Sequence, residues 1–302
     1  MSRITAGREL IKAIVLAGGC LSCVIGCSSA HINKTVPMQQ LPEPNAAEPA
    51  KIIQESKSSV LPNKSGKKGF GDTGFNHAGG QLGASWYYNW QPVSGSKNVP
   101  EFIPMIWSGH FVTNEIIGAL RKSGASALLG FNEPDLDSQS NMTVDEAIRL
   151  WPRLQETGLR LGSPSPAQGY CDDGCWLDEF MEEAKKRGYR VDFIALHWYW
   201  DIRGKEAVPN LKKFLEKAHE RFNRPIWLTE FGALEQEGTE KLTEAEVSAF
   251  VREALPMLES LPFLERYAWF ASYTKKWKLY PQSSLVDDSG NLTGVGRAYA
   301  GE

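Results

Sequence analysis

From about Gln81 to the end of the chain, short apolar runs alternate with amphipathic stretches, and that alternation leaves few architectures open. The strand-like runs are 82–88, 102–107, 127–131, 159–163, 191–197, 226–229, 266–271 and, faintly, 284–286. Helical patterns over 113–123, 143–156, 175–187, 206–222 and 243–259 fall between most of them. Two helix starts carry a capping-box spacing, Thr143 with Glu146 and Thr243 with Glu246. Runs that are apolar throughout belong to strands buried on both faces, and strand–helix alternation puts such strands in a parallel sheet under helices. Eight runs over this length predict an α/β fold, a (β/α)8 TIM barrel with room for one or two degenerate helices. The competing doubly wound open sheet places a Gly-rich phosphate loop after its first strand. Here that place holds Trp86-Tyr-Tyr-Asn-Trp90.

The N-terminus follows other rules. Arg3, Arg8 and Lys12 precede an apolar run over 13–26, the pattern of a signal peptide and too short for a comfortable membrane span. The run ends in Val24-Ile-Gly-Cys27, which resembles the bacterial lipobox, so Cys27 is the expected lipidation site. The alternative is a signal peptide that is only cleaved. Residues 27–78 are rich in Ser, Pro, Lys, Asn and Gly and read as a disordered tether. The expected organisation is a leader over 1–26, the tether over 27–78 and a catalytic domain over 79–302, exported and lipid-anchored to a bacterial membrane as a monomer.

Of five cysteines, Cys171 and Cys175 alone lie beyond the leader and lipobox, and their Cys-Asp-Asp-Gly-Cys spacing suits a disulfide in an oxidising compartment. Two cysteines make no structural zinc site, and His31, His77, His110, His197 and His219 have no metal-ligand spacing, so neither metal nor cofactor is expected. With 33 Lys+Arg against 36 Asp+Glu there is no basic stripe to hold nucleic acid. The 10 Trp, 9 Tyr and 13 Phe point instead to flat apolar faces for a neutral ligand, with most of the rings in the core.

In barrels of this kind the reactive groups sit at the carboxyl ends of the strands. Two of those ends carry carboxylates among aromatics: Asn132-Glu133-Pro134 and Thr229-Glu230-Phe231. Glycoside hydrolysis uses such a pair, one carboxyl to protonate the leaving oxygen and the other to attack or stabilise the oxocarbenium-like centre. Asn132 is placed to bind a sugar hydroxyl, and Pro134 fixes the chain as it leaves the strand. Trp86, Tyr88, His197, Trp198, Tyr199 and Trp269 are expected to line the cleft, whereas Trp151 and Trp176 read as helix-face packing. Taken singly, a strand-end glutamate is usually a loop charge and a buried histidine usually a core residue. The weight lies in their joint occurrence.

Leu129-Gly-Phe-Asn-Glu-Pro-Asp135, Asp192-Phe-Ile-Ala-Leu-His-Trp-Tyr199 and Trp227-Leu-Thr-Glu-Phe-Gly232 together resemble glycoside hydrolase family 128, fungal and bacterial endo-β-1,3-glucanases of the retaining (β/α)8 clan. Ser85-Trp-Tyr-Tyr-Asn-Trp90, Pro104-Met-Ile-Trp107 and Tyr267-Ala-Trp-Phe270 support the match, which runs over roughly 82–299. The resemblance implies Glu133 as acid/base, Glu230 as nucleophile, Asn132 as a substrate-binding neighbour, and a β-glucan polysaccharide or oligosaccharide as partner. In that clan the two glutamates follow strands four and seven, whereas the runs above place them after three and six. The interval agrees and the absolute count does not, so the strand list is in question. Two other readings remain at this point: a carbohydrate-binding lipoprotein without turnover, and a barrel hydrolase of another β-glycan.

Overall fold

The computed structural model describes residues 66–94, 100–170, 174–233, 240–274 and 281–302. The leader, Cys27 and Cys171 lie outside the described residues. The first strand is β1, Lys68–Gly71, inside the segment expected to be tether, so the domain begins ahead of residue 79. Its sequence, Lys-Gly-Phe-Gly, has a single large apolar residue and no run to read. The glycine is what fits it to the barrel. A Cβ on Gly69 would stand 2.3 Å from the Trp86 indole, so only a bare backbone can pass that ring. Phe70 points the other way and stacks on Tyr87, ring centroids 5.9 Å apart.

The remaining strands are β2 Trp86–Tyr88, β3 Glu101–Phe102, β4 Ala127–Leu128, β5 Arg160–Leu161, β6 Ile194–Trp200, β7 Ile226–Ala233 and β8 Leu264–Trp269. Six form a parallel sheet in the order β3-β2-β1-β8-β7-β6, and β4 pairs with β5. Parallel bridges Met105↔Leu129 and Gly162↔Phe193 join the two groups. Each strand therefore neighbours the next in sequence and β8 returns to β1, a closed eight-stranded barrel. With β1 counted, Glu133 follows the fourth strand and Glu230 lies on the seventh. The faint run at 284–286 contributes only an isolated antiparallel bridge, Val286↔Leu292, and is no barrel strand.

The helices are α1 Asn114–Lys122, α2 Val144–Gln155, α3 Trp176–Lys186, α4 Ala207–Phe222, α5 Glu244–Ser260 and α6 Gly294–Ala300. Both expected capping boxes form, at Thr143 and Thr243. The β1–β2 connection holds a short 3-10 turn, Asn76–Gly79, in place of an α-helix. α6, with two glycines and no long apolar face, escapes the periodicity, yet it seals the barrel. The Tyr299 hydroxyl donates to Gly69 O at 2.6 Å, and Lys68 Nζ donates back to Tyr299 O at 2.6 Å. Trp86, Ile103, Met105, Leu129, Phe193 and Trp227 fill the barrel interior, and two further clusters lie between strands and helices. Trp151 is buried in one of these and Trp176 packs on it, as their helix-face reading requires. Among the described residues no helix is long and apolar enough to cross a membrane.

Candidate active site

Plain strand alternation places half the site. Along β6 the side chains of Ile194, Leu196 and Trp198 go outward to the helix-facing core, so His197 and Tyr199 face inward. Along β2, Tyr87 goes outward, and Trp86 and Tyr88 inward. Glu230 is different. Strict alternation would put it on the same face as Leu228, among the helices. β7 is irregular there: its register shifts against β8 between Leu228 and Phe231, and against β6 between Leu196 and His197. The extra residue turns Glu230 into the barrel mouth while Leu228 and Phe231 both stay in the outer core.

Glu133 is placed by a turn. Asn132 N donates to Trp107 O at 2.9 Å and Glu133 N to Ser165 O at 2.9 Å, holding the end of β4 between its neighbours. Glu133 itself sits at φ 43°, a left-handed conformation that a residue with a Cβ adopts at a cost of about 1–2 kcal/mol. The Asp135 carboxylate accepts from Ala167 N at 2.8 Å and Gln168 N at 3.0 Å, tying this turn to the loop after β5.

These placements bring Glu133, His197 and Glu230 together. All three are buried, and one ligand atom of each lies within 4.8 Å of the others. His197 Nδ1 is 3.1 Å from Glu133 Oε1 and 3.6 Å from Glu230 Oε2. Burial raises the Glu133 pKa above the usual carboxylate range, and the hydrogen bond from His197 only partly offsets it. Burial also works against charge on His197, but Glu230 and Glu133 outweigh it and hold the imidazole above its ordinary value. The pair thus keeps a proton beside Glu133. Glu230 is set up as an acceptor: Oε1 takes the Tyr88 hydroxyl and Trp90 Nε1, both at 2.9 Å, and Oε2 takes the Tyr199 hydroxyl at 2.5 Å. Three donors thus converge on its two oxygens. Burial and the Glu230 charge push both tyrosines well above the ordinary phenol value, so they remain donors.

Of the aromatics expected in the cleft, Tyr88 and Tyr199 are there, as donors to Glu230. Trp86, Trp198 and Trp269 offer it no ring face. Trp86 is fully buried at a deeper layer of the barrel, its Nε1 donating to Lys67 O at 2.9 Å. Trp198 packs outward against Phe250 of α5, centroids 6.0 Å apart. Trp269 is fully buried, with Nε1 bonded to Ser283 O at 2.8 Å. Trp90 is the residue missed as part of the site. It follows β2 at φ 60° and fits because Gly71 lacks a side chain, whose Cβ would lie 2.8 Å from the indole. Trp90 and Tyr199 each meet Phe270 edge-on, at 5.8 and 5.6 Å, which gives the mouth an aromatic wall.

Asn132 Oδ1 and His197 Nε2 are buried with no hydrogen-bond partner among the described residues, a deficit that a ligand hydroxyl would relieve. Glu133, His197 and Glu230 are also a donor set able to converge on a metal ion. The Tyr88, Trp90 and Tyr199 hydrogens, however, already point at the Glu230 oxygens that a cation would need. Cys175, ahead of α3, is disulfide-bonded.

Comparison with known proteins agrees with this geometry. The family model of the glycosyl hydrolase catalytic core matches residues 71–299. A family 128, subgroup I endo-β-1,3-glucanase from Amycolatopsis mediterranei, solved with laminaritriose, is 40% identical over 78% of this chain and 99% of that one, with a TM-score of 0.71. A subgroup II endo-β-1,3-glucanase from Sorangium cellulosum is 30% identical over 78% of this chain and 97% of that one, with a TM-score of 0.66. The Alkali-sensitive linkage protein 1 of Schizosaccharomyces pombe is 30% identical over 249 residues, 78% of this chain but only 44% of that protein's length. The chain belongs to the glycosyl hydrolase catalytic core family and, within it, to glycoside hydrolase family 128.

Proposed function

We propose that this protein hydrolyses β-1,3-glucan at internal bonds with retention of anomeric configuration. The observation that carries the reading is the carboxylate pair: oxygens of Glu133 and Glu230 come within 4.8 Å of each other in a buried mouth. Retaining glycosidases hold their carboxyls about 5–5.5 Å apart, whereas inverting ones leave about 6.5–9.5 Å for a water. The substrate class follows from the likeness to endo-β-1,3-glucanases, 40% identical in the Amycolatopsis case.

In the first step a Glu230 oxygen attacks the anomeric carbon while Glu133 passes its proton to the departing glycosidic oxygen. In the second, Glu133, now ionised, takes a proton from water, and the hydroxide oxygen displaces Glu230 from the opposite face. The donors on Glu230 hold it for attack and lower its basicity as a leaving group. His197 steadies the charge that Glu133 acquires between the two steps. Asn132 is the partner for the sugar 2-hydroxyl. A binding module without turnover gains nothing from pressing two carboxyls together in a dry site. Product analysis by NMR on a panel of β-glucans tests the whole reading. The expected first product is the β-anomer of shorter β-1,3-gluco-oligosaccharides; an α-anomer, or turnover confined to another linkage, overturns it.

We further propose that the enzyme is exported as a monomer and anchored through lipid on Cys27. Support comes from the leader and lipobox-like sequence, and from the entry of the chain at the amino end of β1, away from the carboxylates. Full-length protein should then partition with membranes into detergent and the Cys27→Ala variant should not; wild type found wholly in the soluble fraction rejects the anchor.

A further inference from the structure

The loops after β4 and β5 are tied to each other on both sides of Glu133. Ahead of its side chain, Glu133 N donates to Ser165 O at 2.9 Å, next to the parallel bridge Asn132↔Ser165. Beyond it, both oxygens of the Asp135 carboxylate are engaged by the same β5 loop, Oδ1 by Ala167 N at 2.8 Å and Oδ2 by Gln168 N at 3.0 Å. Between the two ties stand Glu133 itself, at φ 43°, and Pro134, whose ring fixes its own φ. A left-handed residue with a side chain persists only where its surroundings over-determine it. Here the chain is pinned before the strained residue by Ser165 and after it by Asp135. The second pin is chemically specific. Two adjacent N–H groups ask for two acceptors, which a carboxylate offers, whereas an asparagine amide of the same shape would turn its own NH2 toward one of them.

The turn matters for what it aims. It sets the Glu133 carboxyl 3.1 Å from His197 Nδ1, in the place from which a proton must reach the departing oxygen. Asp135 also brings charge to the turn. Burial is the first cause of the raised proton affinity of Glu133; His197 opposes it, and the Glu230 and Asp135 charges add to it. On His197 burial works the other way, and Asp135 joins the two glutamates in overcoming it. We propose that Asp135 is the positioning residue of the acid/base: it latches the left-handed turn onto the β5 loop, keeps the Glu133 carboxyl aimed at the leaving oxygen, and acts on the reaction through Glu133. The proposal rests on the retaining-hydrolase reading above.

A residue that works through the general acid matters in proportion to the proton that the leaving oxygen needs. A dinitrophenolate departs without one; a phenolate or a sugar alkoxide does not. The test is kcat/KM, which reports the first step, for the full chain and its Asp135→Asn and Asp135→Ala variants. The substrates are dinitrophenyl and phenyl β-glycosides of a β-1,3-gluco-oligosaccharide, and β-1,3-glucan. Asp135→Asn should lose about tenfold on the phenyl glycoside and on glucan, and Asp135→Ala about a hundredfold, with both within about threefold of wild type on the dinitrophenyl glycoside. In Asp135→Asn the alkaline limb of the profile on glucan should also move to lower pH, because Glu133 acts protonated and has lost a charge that favours its proton. The other groups that act on Glu133 are left in place: His197 and Tyr199 on β6, Glu230 on β7 and Tyr88 on β2. Equal losses on all substrates, with a lower Tm and an unmoved profile, would make Asp135 a structural tie alone, and full activity in both variants would remove it from the reaction; either overturns the proposal. If Asp135→Ala does not fold, Asp135→Asn, which keeps the side-chain size and one acceptor, carries the comparison. If wild type cuts neither the glycosides nor glucan, the hydrolase reading fails first. If wild type cuts and the variants lose activity without regard to the leaving group, only the role of Asp135 fails.

Discussion

The two ends of the barrel are made of similar materials, charged groups set against aromatic rings, and put them to opposite uses. At the amino-end floor arginines and glutamates pair. Arg266 lies between Trp86 and Trp227, 5.5 and 4.6 Å from their ring centres, and donates to Glu101 at 2.6 Å. Arg160 pairs with Glu265 at 2.9 Å, and Trp227 Nε1 donates to the same carboxylate at 2.8 Å. At the carboxyl-end mouth, two carboxyls face each other with one imidazole between them and no arginine among their partners. Paired charges under aromatic rings hold a floor shut. Two carboxyls in a buried pocket oppose each other's ionisation and shift proton affinities, which is a cost to folding and a resource for chemistry.

If that contrast is right, substitutions at the mouth should cost rate and substitutions at the floor should cost stability. The largest effect belongs to Glu230, the proposed nucleophile. Glu230→Ala should lower kcat by about 10³–10⁵-fold. Azide entering the vacated space should then give an α-glycosyl azide from an activated β-glucoside. Glu133→Ala should lose about 10²–10⁴-fold on glucan but still form the glycosyl-enzyme from an activated aryl substrate, and azide should release a β-glycosyl azide. Swapped anomers would exchange the two roles. Tyr199→Phe removes one of three donors to Glu230, and kcat should fall by about ten- to a hundredfold with Tm nearly constant. A fall in Tm without a fall in kcat would mean that the phenol serves packing.

How much of this was legible in the sequence divides along the same lines. The glutamates could be found because strand-end carboxylates in Asn-Glu-Pro and Thr-Glu-Phe settings stand out even with a strand miscounted. β1 could not, because Gly69 and Gly71 replace the apolar run with the absence of side chains that Trp86 and Trp90 need. Trp198 and Trp269 were misplaced by attention to position along the strand in place of parity. In β6, alternation with His197 and Tyr199 inward sends Trp198 outward, and in β8 Ala268 inward sends Trp269 outward. Parity then fails at the residue that matters most, since Glu230 reaches the mouth through an irregularity that no hydrophobic pattern records. The service of Tyr88, Trp90 and Tyr199 as donors depends on side-chain reach across three strand ends, which only the closed barrel brings within bonding distance.

The floor supplies the converse test. Arg266→Ala removes a cation stacked between two indoles and leaves Glu101 without its partner. Arg266 and Glu101 are 18% and 37% exposed, so the ion pair itself counts for little. Lost stacking and packing of the long side chain should still destabilise by about 2 kcal/mol, read from denaturant midpoints at constant m-value. kcat on glucan should stay within about twofold. A large loss of kcat with unchanged stability would connect the floor to the chemistry and break the contrast between the two ends.

The smallest effect is the most specific to the mouth, because it reads the cost of the carboxyl cluster directly. The Glu133 pKa is raised above the ordinary 4.5 of a glutamate by burial, so as pH climbs from there the folded state keeps a proton that the unfolded chain releases. The state that binds more protons is favoured at low pH, and stability contributed by this group is therefore lost as pH rises through its folded pKa. His197, raised above 6.5, acts with the same sign in the next window: its folded-state advantage is complete below 6.5 and fades as pH rises through the folded value. Glu133→Gln removes the first titration and the carboxylate that supports much of the second. Both changes act in one direction: the variant's Tm should gain on that of wild type as pH rises from 4.5 through the two folded values. Thermal denaturation of both proteins across that range decides the matter. Parallel curves would mean that Glu133 is no more reluctant to ionise in the fold than in water, and the mouth would then carry no stored electrostatic cost.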